Sequence, residues 1–210
     1  MWFTNFIKKK HSLLTKSRVM DGFPVNLHVD VQAVLDTLAI APHEPHMNGS
    51  YRSVLLGAEI TIPARVYFPA SEIKDIAHLS VVQQAVFAAV MTRHFDGHQR
   101  EYWVRVLCSH PSEWTASYLA FVLGDYVVQV LATVDQCLTP DWYPLIRQHA
   151  QENHICLKAL NHRILNYWTL YYRYHPPNYR RLKDYPGYII AERLGLWDKK
   201  TAPKLLRKRE

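Results

Sequence analysis

His94 and His98 stand four residues apart, with Asp96 between them and Glu101 three further on. On one uninterrupted helix, histidines at i and i+4 share a face and can hold a metal ion. Gly97 lies inside the pair and disfavours helix there. The His-Glu-x-x-His order of a zinc-protease helix is absent. Polar turn residues are therefore expected here, not ligands. His43 and His46 fall in Pro42–Ser50, a stretch without apolar period that is expected to be exposed and mobile, and they are read as solvent-facing. Cys108, Cys137 and Cys156 are odd in number, far apart and form no C-x-x-C pair. Neither a disulfide framework nor a zinc site is indicated, and reduced cysteines in a cytoplasmic protein are expected. No nucleophile elbow, phosphate-binding loop or dinucleotide fingerprint occurs. No catalytic residue, metal or cofactor is assigned. A non-enzymatic role is expected, with the reservation that acid–base groups can converge from distant positions.

The C-terminal third offers different chemistry. Tyr167, Trp168, Tyr171, Tyr172, Arg173 and Tyr174 are followed by Tyr179, Arg180, Arg181 and Lys183. Aromatic faces stack on unpaired bases while Arg and Lys neutralise phosphates, so such a run can hold single-stranded nucleic acid. The same residue types anchor protein interfaces. Tyr167, Tyr171 and Tyr174 also have helix-face spacing, for which packing with the hydroxyl in water is the plainer reading. The partner-binding residues assigned are Arg173, Tyr174, Tyr179, Arg180, Arg181 and Lys183. Another protein is the expected partner, and nucleic acid is the alternative.

Charge supports a binding role. The formal net charge of +7 is uneven along the chain. Lys8, Lys9, Lys10, Lys16 and Arg18 face no acid in residues 1–20. Residues 173–210 carry 11 Lys and Arg against Asp184, Glu192, Asp198 and Glu210. The body between these ends is net acidic. Basic ends suit nucleic acid, an anionic membrane or an acidic partner. No apolar run reaches the length of a membrane span. Trp2, Phe3, Phe6 and Ile7 precede Lys8–Lys10, the reverse of a signal peptide. Peripheral membrane contact through residues 1–10 is a lesser option than docking of these aromatics on the body.

The elements that must position these residues read as helices. With 210 residues, 49% hydrophobic and only 7 Gly, the chain can bury a sizeable core. From Ser80 to Leu138, four apolar blocks of helical period are separated at Asp96-Gly97, Ser109-His110-Pro111 and Gly124-Asp125. Ser80 with Gln83 has capping-box spacing. Asp30, Asp96, Ser112, Asp125, Thr139 and Asn153 are the other expected caps. Val82, Val86, Ala89 and Val90 form the expected buried side of the helix after Ser80. A helix around Tyr188–Leu194 comes after the break at His175-Pro176-Pro177. Glu59–Phe68 is rich in β-branched residues, but Pro63 restricts it to an edge hairpin or an extended segment. The expected organisation is a basic arm at 1–20, a helical body at 21–173 and a basic aromatic appendage at 174–210.

Asp96, Asp125 and Asn153 open helices at intervals of 29 and 28 residues, a period that suits two-helix repeats. His94-Phe95-Asp96-Gly97-His98-Gln99-Arg100-Glu101, Val104-Arg105-Val106-Leu107 and the run Leu123 to Leu131 resemble bacterial HEAT-like repeat proteins in their turns and apolar positions. The resemblance covers about residues 80–138. It implies a curved helical scaffold that binds a partner, and it carries over no catalytic residue. The expected fold is mainly α, an antiparallel helical array with HEAT-like solenoid character, with room for a short extended or β segment near 58–68. The expected function is a non-catalytic interaction module: an adaptor, an inhibitor or a subunit of a larger complex.

Overall fold

The computed structural model describes residues 18–38, 49–67 and 76–197. The expectations placed on the N-terminal aromatics and lysines, on His43 and His46, and on the last basic residues lie outside these. The described residues are mainly helical, with one two-stranded sheet. The chain forms two compact units that divide between His110 and Pro111.

In the first unit a 3-10 turn, Val25–Leu27, leads into α1 (His28–Thr37). The hairpin β1 (Ser50–Leu55) and β2 (Ala58–Pro63) comes next, and then α2 (Val81–Met91) and α3 (Gly97–Cys108). Helix α2 packs against α1 and α3. That is why α2 is apolar almost all round: Ala85 to Met91 are buried without a break, as befits a central helix. The expectation for Val82 is corrected, because the first turn of α2 leaves Val81 and Val82 exposed. Ser80 and Gln83 do form the capping box. Asp96 caps α3, its carboxylate accepting from the His98 amide at 2.9 Å.

Asp30 is not a cap. Helix α1 begins two residues earlier, and Asp30 accepts from Gln83 Nε2 at 3.0 Å, tying α1 to α2. His94 is fully buried, and its Nδ1 accepts from the Asp96 amide at 3.1 Å, so it organises the turn into α3. His98 is exposed on the first turn of α3.

The hairpin extends further towards the N-terminus than the sequence suggests. Its register pairs Leu55 with Ala58 and Ser50 with Pro63. Pro63 is thus at the last pair, where its missing donor matters least. Ile60, Ile62 and Leu55 face the core. The strand end is held by buried Arg93, which donates to the carbonyls of Pro63 (3.1 Å) and Ala64 (2.6 Å).

The second unit holds α4 (Glu113–Val122), α5 (Val128–Cys137), α6 (Trp142–Glu152) and α7 (His154–Tyr167). A π-helical turn, Trp168–Tyr172, prolongs α7. A 3-10 turn at Leu182–Asp184 precedes α8 (Pro186–Arg193). Helix α4 packs on α6, and α5 on α8. Ser112 and Thr115 form a reciprocal cap on α4. Asp125 lies before the start of α5 and accepts from the Val127 amide at 2.9 Å. Thr139 does not cap: α6 starts at Trp142 behind Asp141. Trp142, Ile146, Leu131, Tyr185 and Ile190 fill the core. The chain after α8 is fastened from two sides, by Arg147 Nε to the Leu194 carbonyl (2.8 Å) and Asn161 Nδ2 to the Leu196 carbonyl (2.9 Å).

Candidate functional site

The aromatic and basic residues of the C-terminal third are organised by the end of α7. The Arg173 amide donates to the Trp168 carbonyl at 2.8 Å, five residues back. This wider turn inserts an extra residue and rotates the next side chains away from the α-helical register. The chain then reverses, and the Tyr179 amide returns to the Tyr172 carbonyl at 2.8 Å. Trp168 is buried and donates through Nε1 to the Tyr179 carbonyl at 2.6 Å. Rings beneath the surface lock together: Tyr172 stacks on Tyr185 at 5.5 Å, and both contact Tyr179. The Tyr172 hydroxyl donates to the Tyr126 carbonyl at 2.5 Å and accepts from the Val128 amide at 3.2 Å. Burial pushes the phenols of Tyr172 and Tyr185 above their ordinary range, so both stay neutral.

Above this layer lies an exposed one. Tyr126 touches Tyr167, and Tyr167 touches Tyr171. Tyr171 is 51% exposed, Tyr174 70%, and Leu170 is also open. The helix-face reading of Tyr167, Tyr171 and Tyr174 as packing residues therefore fails for the last two. The Arg173 guanidinium lies 4.9 Å from the Trp168 ring centre and 5.0 Å from that of Tyr174, a cation–π arrangement that fixes its direction.

The six residues assigned from sequence have separate roles. Arg173 and Tyr174 sit together on the exposed layer. Tyr179 belongs to the inner layer, with its carbonyl on Trp168 and its ring on Tyr185. Arg180 and Lys183 are exposed, with no ion pair among the described residues. Arg181 is already engaged by Asp184 through two bonds of 2.7 and 3.0 Å. That pairing holds the Asp184 carboxyl below its usual range and raises Arg181. Tyr126 was not legible as a member, because it precedes α5 and reaches the layer only through the fold.

A second constellation lies wholly inside the same unit. His149, on α6, is 5% exposed. Its Nδ1 lies 3.2 Å from Ser117 Oγ on α4 and 3.4 Å from Asn153 Nδ2. Asn153 also donates through Nδ2 to the His149 carbonyl at 2.8 Å. A carbonyl only accepts, so the amide nitrogen of Asn153 is the atom facing the ring, and the network assigns Nδ1 as acceptor and Nε2 as the protonated nitrogen. Nε2 is buried without a hydrogen-bond partner among the described residues. Burial pushes the imidazole down to about 4, against the opposing charge of Glu152, so the ring is neutral at pH 7. Beside it lies a cavity of about 20 Å³. Its walls include Phe121, Ile146, Leu157 and Leu160, together with the polar Asn153, Cys156 and Arg163. Gly124 lets the Arg163 side chain close in: a Cβ there would meet Cζ and Nε at 3.0 Å. Cys156 is no activated nucleophile, since burial raises its thiol and the Arg163 charge only partly offsets this. The one sequence trace of this site is the i, i+4 spacing of His149 and Asn153. Ser117, 32 residues earlier, carries none.

Among the described residues no group of three His, Cys, Asp or Glu side chains is placed to hold a metal ion, and no helix is long and apolar enough to cross a membrane. No protein-family model, curated protein or solved structure matches this chain.

Proposed function

We propose that the chain is a non-catalytic interaction module that holds a protein partner on the face built by Tyr126, Leu170, Tyr171 and Tyr174, with Arg173, Arg180 and Lys183 as its cations. The carrying observation is the two-layer arrangement of the aromatic rings. An inner layer, tied by hydrogen bonds through Trp168 and Tyr172, underlies an outer layer of exposed rings that touch one another. Rigid aromatic side chains lose little entropy on binding and are the commonest interface anchors. These cations, which form no ion pair among the described residues, favour a partner with acidic groups around an apolar centre. The outer rings contribute little to the fold itself, which separates this reading from simple packing.

The test is capture from host lysate with nuclease present, at low and high salt. Three forms are compared: the native chain, Tyr171→Ala/Tyr174→Ala, and Arg180→Glu/Lys183→Glu. One protein recovered stoichiometrically at high salt, and lost in the tyrosine variant while its unfolding free energy stays within about 0.5 kcal/mol of the native chain, supports the proposal. Nucleic acid that disappears with salt and with charge reversal would replace it by the nucleic-acid reading, since phosphate neutralisation makes affinity fall steeply with salt.

A further inference from the structure

We propose that the cavity beside His149 is the site of one buried water molecule that joins α6 to α7. The water accepts the Nε2 proton of His149, and its other partners are the Arg163 guanidinium and the Asn153 side-chain amide, which share the cavity wall. Size, donor and wall chemistry converge on this ligand. A polar cavity holds a water once it offers roughly 10–15 Å³, so a space of about 20 Å³ takes one water and no organic molecule. Ser117 Oγ and Asn153 Nδ2 face Nδ1 at 3.2 and 3.4 Å, which leaves the proton on Nε2. That donor is buried with no hydrogen-bond partner among the described residues, a condition that is costly and rare in native proteins. Walls of Phe121, Ile146, Leu157 and Leu160 alone would leave the space dry, whereas a buried water is held by two to four polar partners. The polar residues supply that number. Asn153 turns Nδ2 to the His149 carbonyl at 2.8 Å, so its amide oxygen is the acceptor for a water proton. Arg163 Nε is also buried, and a guanidinium has five N–H donors, so a bond to water leaves its other contacts in place. The bridge spans the corner where only Asn153 separates α6 from α7.

Water itself is the probe, followed by NMR on the full chain. Field-dependent relaxation of the water oxygen measures the waters that stay bound for longer than the protein takes to tumble. Proton cross-relaxation then places one of them beside His149 Hδ2, the carbon-bound proton next to Nε2. The native chain is compared with His149→Phe, which keeps a ring but removes the donor, and with Cys156→Met, which brings a flexible side chain able to fill irregular gaps to the cavity wall. A direct cross-peak between water and His149 Hδ2 is expected in the native chain, together with the loss of one long-lived water in His149→Phe. An unchanged number of long-lived waters in His149→Phe overturns the proposal, because the water would not then depend on Nε2. So does a native chain without the cross-peak. Should His149→Phe not fold, Cys156→Met decides: loss of one long-lived water supports the proposal and an unchanged number overturns it. The outcome is independent of the tyrosine face.

Discussion

At the scale of single residues, His149 links stability to pH. Its imidazole is held neutral by burial, at about 4 rather than 6.5. Above pH 6.5 the ring is neutral in both folded and unfolded chains and contributes no pH dependence. Between pH 6.5 and 4 the unfolded chain binds the proton and the folded one does not, so stability falls as pH falls. The full window amounts to about 3 kcal/mol. Glu152 acts against this and does not reverse it. Other carboxylates titrate in the same range, so the informative quantity is a difference. Denaturant unfolding of the native chain and of His149→Phe at pH 7 and pH 4.5 should show the native chain losing more, by about 2–3 kcal/mol. Equal losses would mean that the imidazole is charged in the fold, and the tautomer assigned to it would fall too.

At the scale of elements, what could be read in advance depended on whether a side chain acts locally. Ser80, Asp96 and Ser112 cap their helices as their positions suggest, because a cap needs only the next turn of backbone. Asp30 and Asn153 look equivalent in sequence, yet both are drawn elsewhere, Asp30 by Gln83 and Asn153 by His149. Gln83 lies 53 residues from Asp30, so no local pattern reveals that competition, whereas His149 stands only four residues before Asn153. The tyrosine face was legible in composition, but not in its division into inner and outer rings. An α-helical register assigns Tyr171 and Tyr174 to a packed face, and the π turn after Tyr167 rotates them out of it. The hairpin turn supplies a test at this scale. Its two residues, Leu56 and Gly57, both have positive φ, 52° and 80°, as the tight turn that matches strand twist requires. Glycine adopts this freely, whereas Leu does so at a cost of about 1 kcal/mol. Leu56 is exposed, so replacing it loses no packing. Leu56→Asn should therefore raise the urea midpoint by an amount equivalent to about 0.5–1 kcal/mol with the slope unchanged. A fall in the midpoint would show that Leu56 makes an unrecognised contact.

At the scale of the whole molecule, both candidate sites depend on one of the two compact units. The exposed rings, the hydrogen bonds that carry them, the His149 cavity and the fastening of α8 all lie after His110. That unit has its own interior: Trp142, Ile146 and Leu131 meet the C-terminal Tyr185 and Ile190 in full burial. A domain of about 100 residues buries enough surface to fold without staples. Residues 111–210 should accordingly fold alone, with helical circular dichroism and one cooperative unfolding transition. Buried Trp142 and Trp168 should report the same midpoint by fluorescence, since a two-state unit loses all its probes together. The fragment should also reproduce the pH 4.5 destabilisation that depends on His149, because every group set around that ring belongs to it. If it is helical but melts without cooperativity, its core needs residues before 111. The cavity and the tyrosine face would then be properties of the whole chain, and the α4–α6 and α5–α8 packing described for this unit would not suffice to position either.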